Sequence, residues 1–203
     1  MKKKTTKVKS GFVLLEILIG VAVFVLIAGA LTLFSRNVWI FNSFLGSKLA
    51  NVASGKQIIK SFSAEVRSAS AADTGAYTIG QAAASSFTFY SNIDSDGLKE
   101  KVRYFLNGTT LQKGVIKPTG SPLTYNPANE TISTLATAVT NTSIFSYYDK
   151  NYDGTSAPLA TPVNIPSIRL VKITVTLDQD QNRSPTPMTF STQVSVRNLK
   201  DNL

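Results

Sequence analysis

Residues 12–34 read FVLLEILIGVAVFVLIAGALTLF, and Glu16 is the only charged side chain among them. As a helix rising 1.5 Å per residue, this run is roughly 34 Å long, enough to cross the hydrocarbon core of a bilayer. Backbone polar groups in lipid must be satisfied within the segment itself, so the run can be a helix and little else. A lone carboxylate in such a run is costly and marks function. Glu16 therefore demands a partner.

The flanks give the segment a direction. Lys2, Lys3, Lys4, Lys7 and Lys9 precede Gly11. Lysines ahead of an apolar helix stay on the cytoplasmic side. The formal net charge is +9, from 21 basic and 12 acidic side chains. Without the five leading lysines the balance falls to 16 against 12, so the basic character belongs largely to the extreme N-terminus. Basic residues beyond Gly11 are scattered rather than gathered with aromatics on one face, so nucleic acid is not an expected partner. The chain has no cysteine and no histidine. That excludes disulfides, thiolate chemistry, a Ser-His-Asp triad and zinc sites built on His or Cys. A secretory signal peptide carries its small-residue cut site after the apolar core. Here the small residue, Gly11, comes before it, and cleavage there would discard the lysines and keep the helix.

The pattern Gly11-Phe12-Val13-Leu14-Leu15-Glu16 behind a basic leader resembles the class III signal of type IV prepilins and type II secretion pseudopilins. The resemblance covers about Lys9 to Ser35. It implies that prepilin peptidase cuts between Gly11 and Phe12 on the cytoplasmic side and N-methylates Phe12. Glu16 then takes the family's fifth mature position and pairs with the Phe12 amine of a neighbouring subunit. Such pairing sets registry, the best-attested role of buried ion pairs. Implied partners are the peptidase, other pilins or pseudopilins, the inner-membrane assembly platform and membrane lipid. The implied location is the inner membrane, single-pass with the head outside the cytoplasm, then a pilus or pseudopilus. Many major pilins carry a helix-kinking proline in the membrane segment and a C-terminal disulfide loop. This chain has neither, which shifts the expectation to a minor pilin or pseudopilin.

After Phe34 the pattern becomes amphipathic without a break. Apolar residues recur at Val38, Phe41, Leu45, Leu49, Val52, Ile59, Phe62 and Val66, in steps that keep one helix face apolar. No proline occurs before Pro118. The expectation is a leader over 1–11, one helix over 12–70 with its transmembrane half at 12–34, and a β-rich head over 71–203. The stripe from Phe41 to Val66 is expected to pack the helix against the head.

The head has a period of two, the signature of half-buried strands. SFTFYSNI, LKEKVRYFL and TTLQKGV read as three strands of a meander, with Asn107-Gly108 as a hairpin turn. SIFSYY, SIRLVKITVTLD and MTFSTQVSVRN read as further strands, with 179–187 a loop between the last two. Ile168, Leu170, Ile173, Val175 and Leu177 are expected to face the core. Thr131–Val139 reads as a short helix on its alanines and leucine. A long helix packed on an antiparallel sheet is an α+β arrangement. The meander followed by a strand ending STQVSVRNLKDN resembles the J-type minor pseudopilins and related minor pilins, which implies a pilin-like fold.

Asp149, Asn151 and Asp153 in DKNYDG place oxygen ligands at alternate positions before a glycine, as calcium loops do. The closing glutamate at position twelve is absent, with Ala160 in its place, and an Asx turn explains the same letters. Calcium through these three residues is the weaker reading, IDSDG with Asp94 and Asp96 in a hairpin turn is a weaker calcium candidate still, and no other cofactor is expected. The acid pairs Asp94/Asp96 and Asp178/Asp180 sit in expected turns, so the chain is not expected to be an enzyme. Two alternative readings remain on sequence grounds. One is a membrane-anchored extracytoplasmic binding domain, whose Gly11 is never cut. The other is a DNA-uptake pilin, whose head binds DNA in a salt-sensitive way.

Overall fold

The computed structural model describes residues 10–178 and 187–199. The expected leader up to Lys9, Asp180 and most of the 179–187 loop lie outside the described residues. The chain divides into two compact units, Met1–Gly46 and Ser47–Leu203. Helix α1 runs Ser10–Arg67, close to the expected 12–70. With no proline and two isolated glycines in its second half, the sequence offers the backbone no reason to stop earlier.

In the first unit every side chain described from Val13 to Ser43 is exposed, Glu16 among them. An apolar surface of this extent on a folded chain is covered in use, by lipid or by protein. Among the described residues this is the one helix long and apolar enough to cross a membrane.

The second unit is α+β. Its first sheet is an antiparallel meander in the order β1 (Ile79–Ala82), β2 (Ser86–Ser91), β3 (Glu100–Asn107), β4 (Thr110–Ile116) and β5 (Thr131–Ala136). A second antiparallel sheet holds β6 (Phe145–Tyr148), β7 (Leu170–Leu177) and β8 (Met188–Ser195) in that order. The head thus has two sheets where the sequence led us to expect one. The β3–β4 hairpin closes as expected at Asn107-Gly108, where Gly108 takes φ +60°. Glycine adopts that backbone at little steric cost.

Three expectations are corrected. Thr131–Ala136 is strand β5, not a helix: it pairs with β4 through Thr131↔Val115 and Ile132↔Gly114. Thr131, Ile132 and Thr134 are β-branched, and a neighbouring strand with free edge groups outweighs the helix preference of two alanines. In β7 the core side begins at Val171 rather than Leu170, and Val171, Ile173, Val175 and Leu177 are buried. Ile168 is buried as expected. On α1 the buried line is Asn51, Gly55, Ile58, Phe62 and Val66, while Phe41, Leu45 and Leu49 are exposed. Gly55 belongs to this line because a Cβ there would run into the Phe190 ring of β8.

Phe62 joins the layers. Its ring lies 5.3 Å from Tyr104, edge-on at 88°, and 6.2 Å from Phe87, both in the first sheet. It lies 5.9 Å from Phe145 of the second sheet. The sheets are also tied by backbone, since the Ile144 and Phe145 N–H groups both donate to the Ala84 carbonyl.

Candidate functional site

In α1, Gly11, Phe12 and Glu16 lie on continuous helical backbone. Glu16 is exposed among apolar neighbours that are exposed too: Leu14, Leu15, Ile17 and Ile19. The carboxylate stands on the surface that lipid or another chain must cover. It offers acceptors only, so the partner it calls for is a cation or a hydrogen-bond donor.

The DKNYDG loop is held by its own turn chemistry. Asp149 accepts the Asn151 N–H at 2.9 Å and the Asn151 side-chain amide at 3.2 Å. Asp153 accepts the N–H groups of Thr155 at 2.9 Å and Ser156 at 2.8 Å. The Thr155 N–H first, then that of Ser156, hold the Asp153 carboxyl down at about 2. These are Asx-turn bonds, the chemistry the sequence offered as the alternative for Asp149, Asn151 and Asp153.

Asp94 and Asp96 sit in the β2–β3 turn. Their side chains cap their own loop, Asp94 accepting the Asp96 N–H and Asp96 that of Leu98. The Lys117 ammonium contacts Asp94 and lies 3.5 Å from Asp96. Its hydrogen bond to Asp94 lowers the Asp94 carboxyl and raises the Lys117 ammonium. Asp178, of the other acid pair, follows β7 and donates its N–H to the Ala138 carbonyl. In the cleft lined by Tyr90, Lys101, Arg103 and Glu130, Arg103 clamps Glu130 with two hydrogen bonds of 2.9 and 2.7 Å.

Two acids escape the sequence reading. Glu65, on α1 but outside the apolar stripe, accepts the Tyr104 hydroxyl at 2.8 Å and the Lys113 ammonium at 2.6 Å. Its partners come from β3 and β4, so no local pattern points to them. Glu100 is fully buried at the start of β3, on the same face as Val102 and Tyr104. Here a signal exists: the alternation in LKEKVRYFL places Glu100 in phase with Val102 and Tyr104, a charge where a hydrophobe belongs.

The tyrosines make the head sensitive to base. Burial first, and the Glu65 charge second, push the Tyr104 hydroxyl far up. Burial pushes Tyr147 far up as well, and Tyr125 to about 12. Each folded-state value exceeds the unfolded one, so the native state holds more protons than the unfolded chain above the ordinary tyrosine range. Stability is then full below about pH 10 and falls as pH rises past it. Thermal midpoints followed across the alkaline range should be flat and then drop, and Tyr104→Phe should flatten the drop. A midpoint independent of base would contradict this account.

No protein-family model matches this chain, and no curated protein matches it either.

Proposed function

We propose that this chain is a structural subunit of a type IV pilus or type II secretion pseudopilus, most similar to a minor pilin or J-type minor pseudopilin. The observation that carries the reading is the Gly11-Phe12 step four residues before Glu16, at the head of a membrane-length run with no other charge. The reading is supported by a helix that continues unbroken from this run, its C-terminal part lying against an antiparallel β head. In this role the chain has no catalytic groups of its own. It is inserted in the inner membrane with its head outside the cytoplasm. Prepilin peptidase trims it after Gly11 and methylates Phe12, and the assembly platform builds it into a filament with other pilins through α1.

Intact mass of the chain, expressed with and without an active prepilin peptidase, tests this. The expected product with peptidase lacks residues 1–11 and carries one added methyl group at Phe12. An unprocessed chain beside a processed control prepilin would make α1 a plain anchor and the head a membrane-tethered binding domain.

A further inference from the structure

We propose that the β2–β3 turn is a binding site for one calcium ion, held by Asp94, Asp96 and Glu100. Glu100 is the residue that calls for a cation. Its side chain is 0% exposed, and its Oε2 accepts the Ile93 N–H at 2.9 Å. Its Oε1 is buried and has no hydrogen-bond partner. A buried carboxylate is costly unless it is neutralised and its lone pairs are used. One carboxylate oxygen from each of Asp94, Asp96 and Glu100 lies within 4.8 Å of the other two. Three negative charges at this spacing repel one another and concentrate a field on the space they share.

The compensating charge nearest the aspartates is Lys117, which follows β4. Its side chain is 60% exposed, so it is free to swing out to water. It carries one charge against three and bonds the aspartates, leaving Glu100 Oε1 without a donor. A divalent cation supplies twice the charge, and a cation coordinated by Glu100 satisfies the orphaned oxygen directly.

The donors are all hard carboxylate oxygens, which suit calcium, magnesium or manganese rather than zinc or copper. The run Asn92-Ile93-Asp94-Ser95-Asp96-Gly97 alternates oxygen-bearing side chains and ends on a glycine with φ +96°. Calcium loops use the same alternation and the same glycine. Glu100 comes three residues after the glycine, fixed by the first β3–β2 pair, Ser91↔Glu100. An irregular set drawn from a turn and a strand favours calcium over magnesium, which needs near-ideal octahedral geometry.

The test is calcium titration of the chelator-stripped full chain in detergent micelles, by calorimetry and by thermal melting. It needs neither processing nor assembly, so its outcome is separate from that of the filament reading. One saturable site is expected, with a dissociation constant on the order of 10⁻⁴–10⁻³ M as in extracellular modules, and a raised melting midpoint. Lys117→Met, which removes the competing cation, should bind more tightly. Glu100→Gln should bind at least about tenfold more weakly, as for loss of one charged ligand. If Glu100→Gln fails to fold, the double variant Asp94→Asn, Asp96→Asn replaces it, since both positions are exposed. Asp149→Asn with Asp153→Asn should leave binding unchanged. Absence of heat and of any midpoint shift would overturn the site. So would binding lost only when Asp149 and Asp153 are changed, or an equal response to magnesium.

Discussion

Phe62→Ala is expected to destabilise the head by about 3–5 kcal/mol, the range for deleting a fully buried aromatic ring. Phe62 is 0% exposed, and its ring touches Phe87 and Tyr104 on one sheet and Phe145 on the other. The substitution removes the transfer energy of the ring and opens a cavity bounded by three aromatics. Those rings cannot close the gap without moving strands that are paired on both sides, β2 and β3 in particular. A domain of this size is stable by only about 5–15 kcal/mol, so the loss is a large fraction of the total. Denaturant unfolding followed by near-ultraviolet dichroism of the head tyrosines would measure it. Leu49→Ala, on the same helix at 65% exposure, should stay within about 0.5 kcal/mol. Equal losses from the two variants would mean that the aromatic cluster is not what joins helix and sheets.

The contrast between these two positions shows what the sequence reveals and what it hides. The helix is legible because nothing in 12–67 breaks it, and β2, β3, β4 and β7 are legible because their residues alternate or cluster as strands do. The buried line on α1 is not. Asn51 and Gly55 contribute to it without being large hydrophobes, so counting apolar residues turns the face toward Val52 and Ile59 instead of Ile58. Gly55 is small because Phe190, far along the chain on β8, needs the space. Strand β5 is exposed over its first four residues, so its alternation has no buried side to record. The division into two sheets depends on which strands find each other, and periodicity is silent on pairing. Of the candidate site residues, Gly11, Phe12 and Glu16 stand out because their signal is local and chemical. Glu65 does not, since its partners come from strands folded against it, and Glu100 shows only in the phase it shares with Val102 and Tyr104.

Glu16→Ala is expected to leave cleavage at Gly11 intact and to reduce incorporation into filaments to background. Under the proposed reading, removal of the leader exposes an amine at Phe12 inside a helical, apolar assembly. Neither that amine nor an isolated carboxylate is tolerable there alone. At about 4 Å and an effective dielectric near 20, the two attract by about 4 kcal/mol. Removing one partner of such a pair costs about 3–5 kcal/mol, because the remaining charge stays buried without compensation. Each 1.4 kcal/mol is tenfold, so a defect of about 4 kcal/mol lowers the association constant roughly a thousandfold. Glu16→Gln keeps the shape and a hydrogen-bond acceptor but not the charge, and should be nearly as defective. Glu16→Asp keeps the charge on a shorter arm and should recover part of the loss. The measurement is the ratio of sheared-filament to membrane-bound chain, with intact mass confirming that each variant is processed. The head lies in the other unit, so its melting midpoint should match the wild type in all three variants and exclude misfolding as the cause. Wild-type incorporation of Glu16→Ala would remove the charge from the assembly mechanism and leave its place in the apolar run without an account.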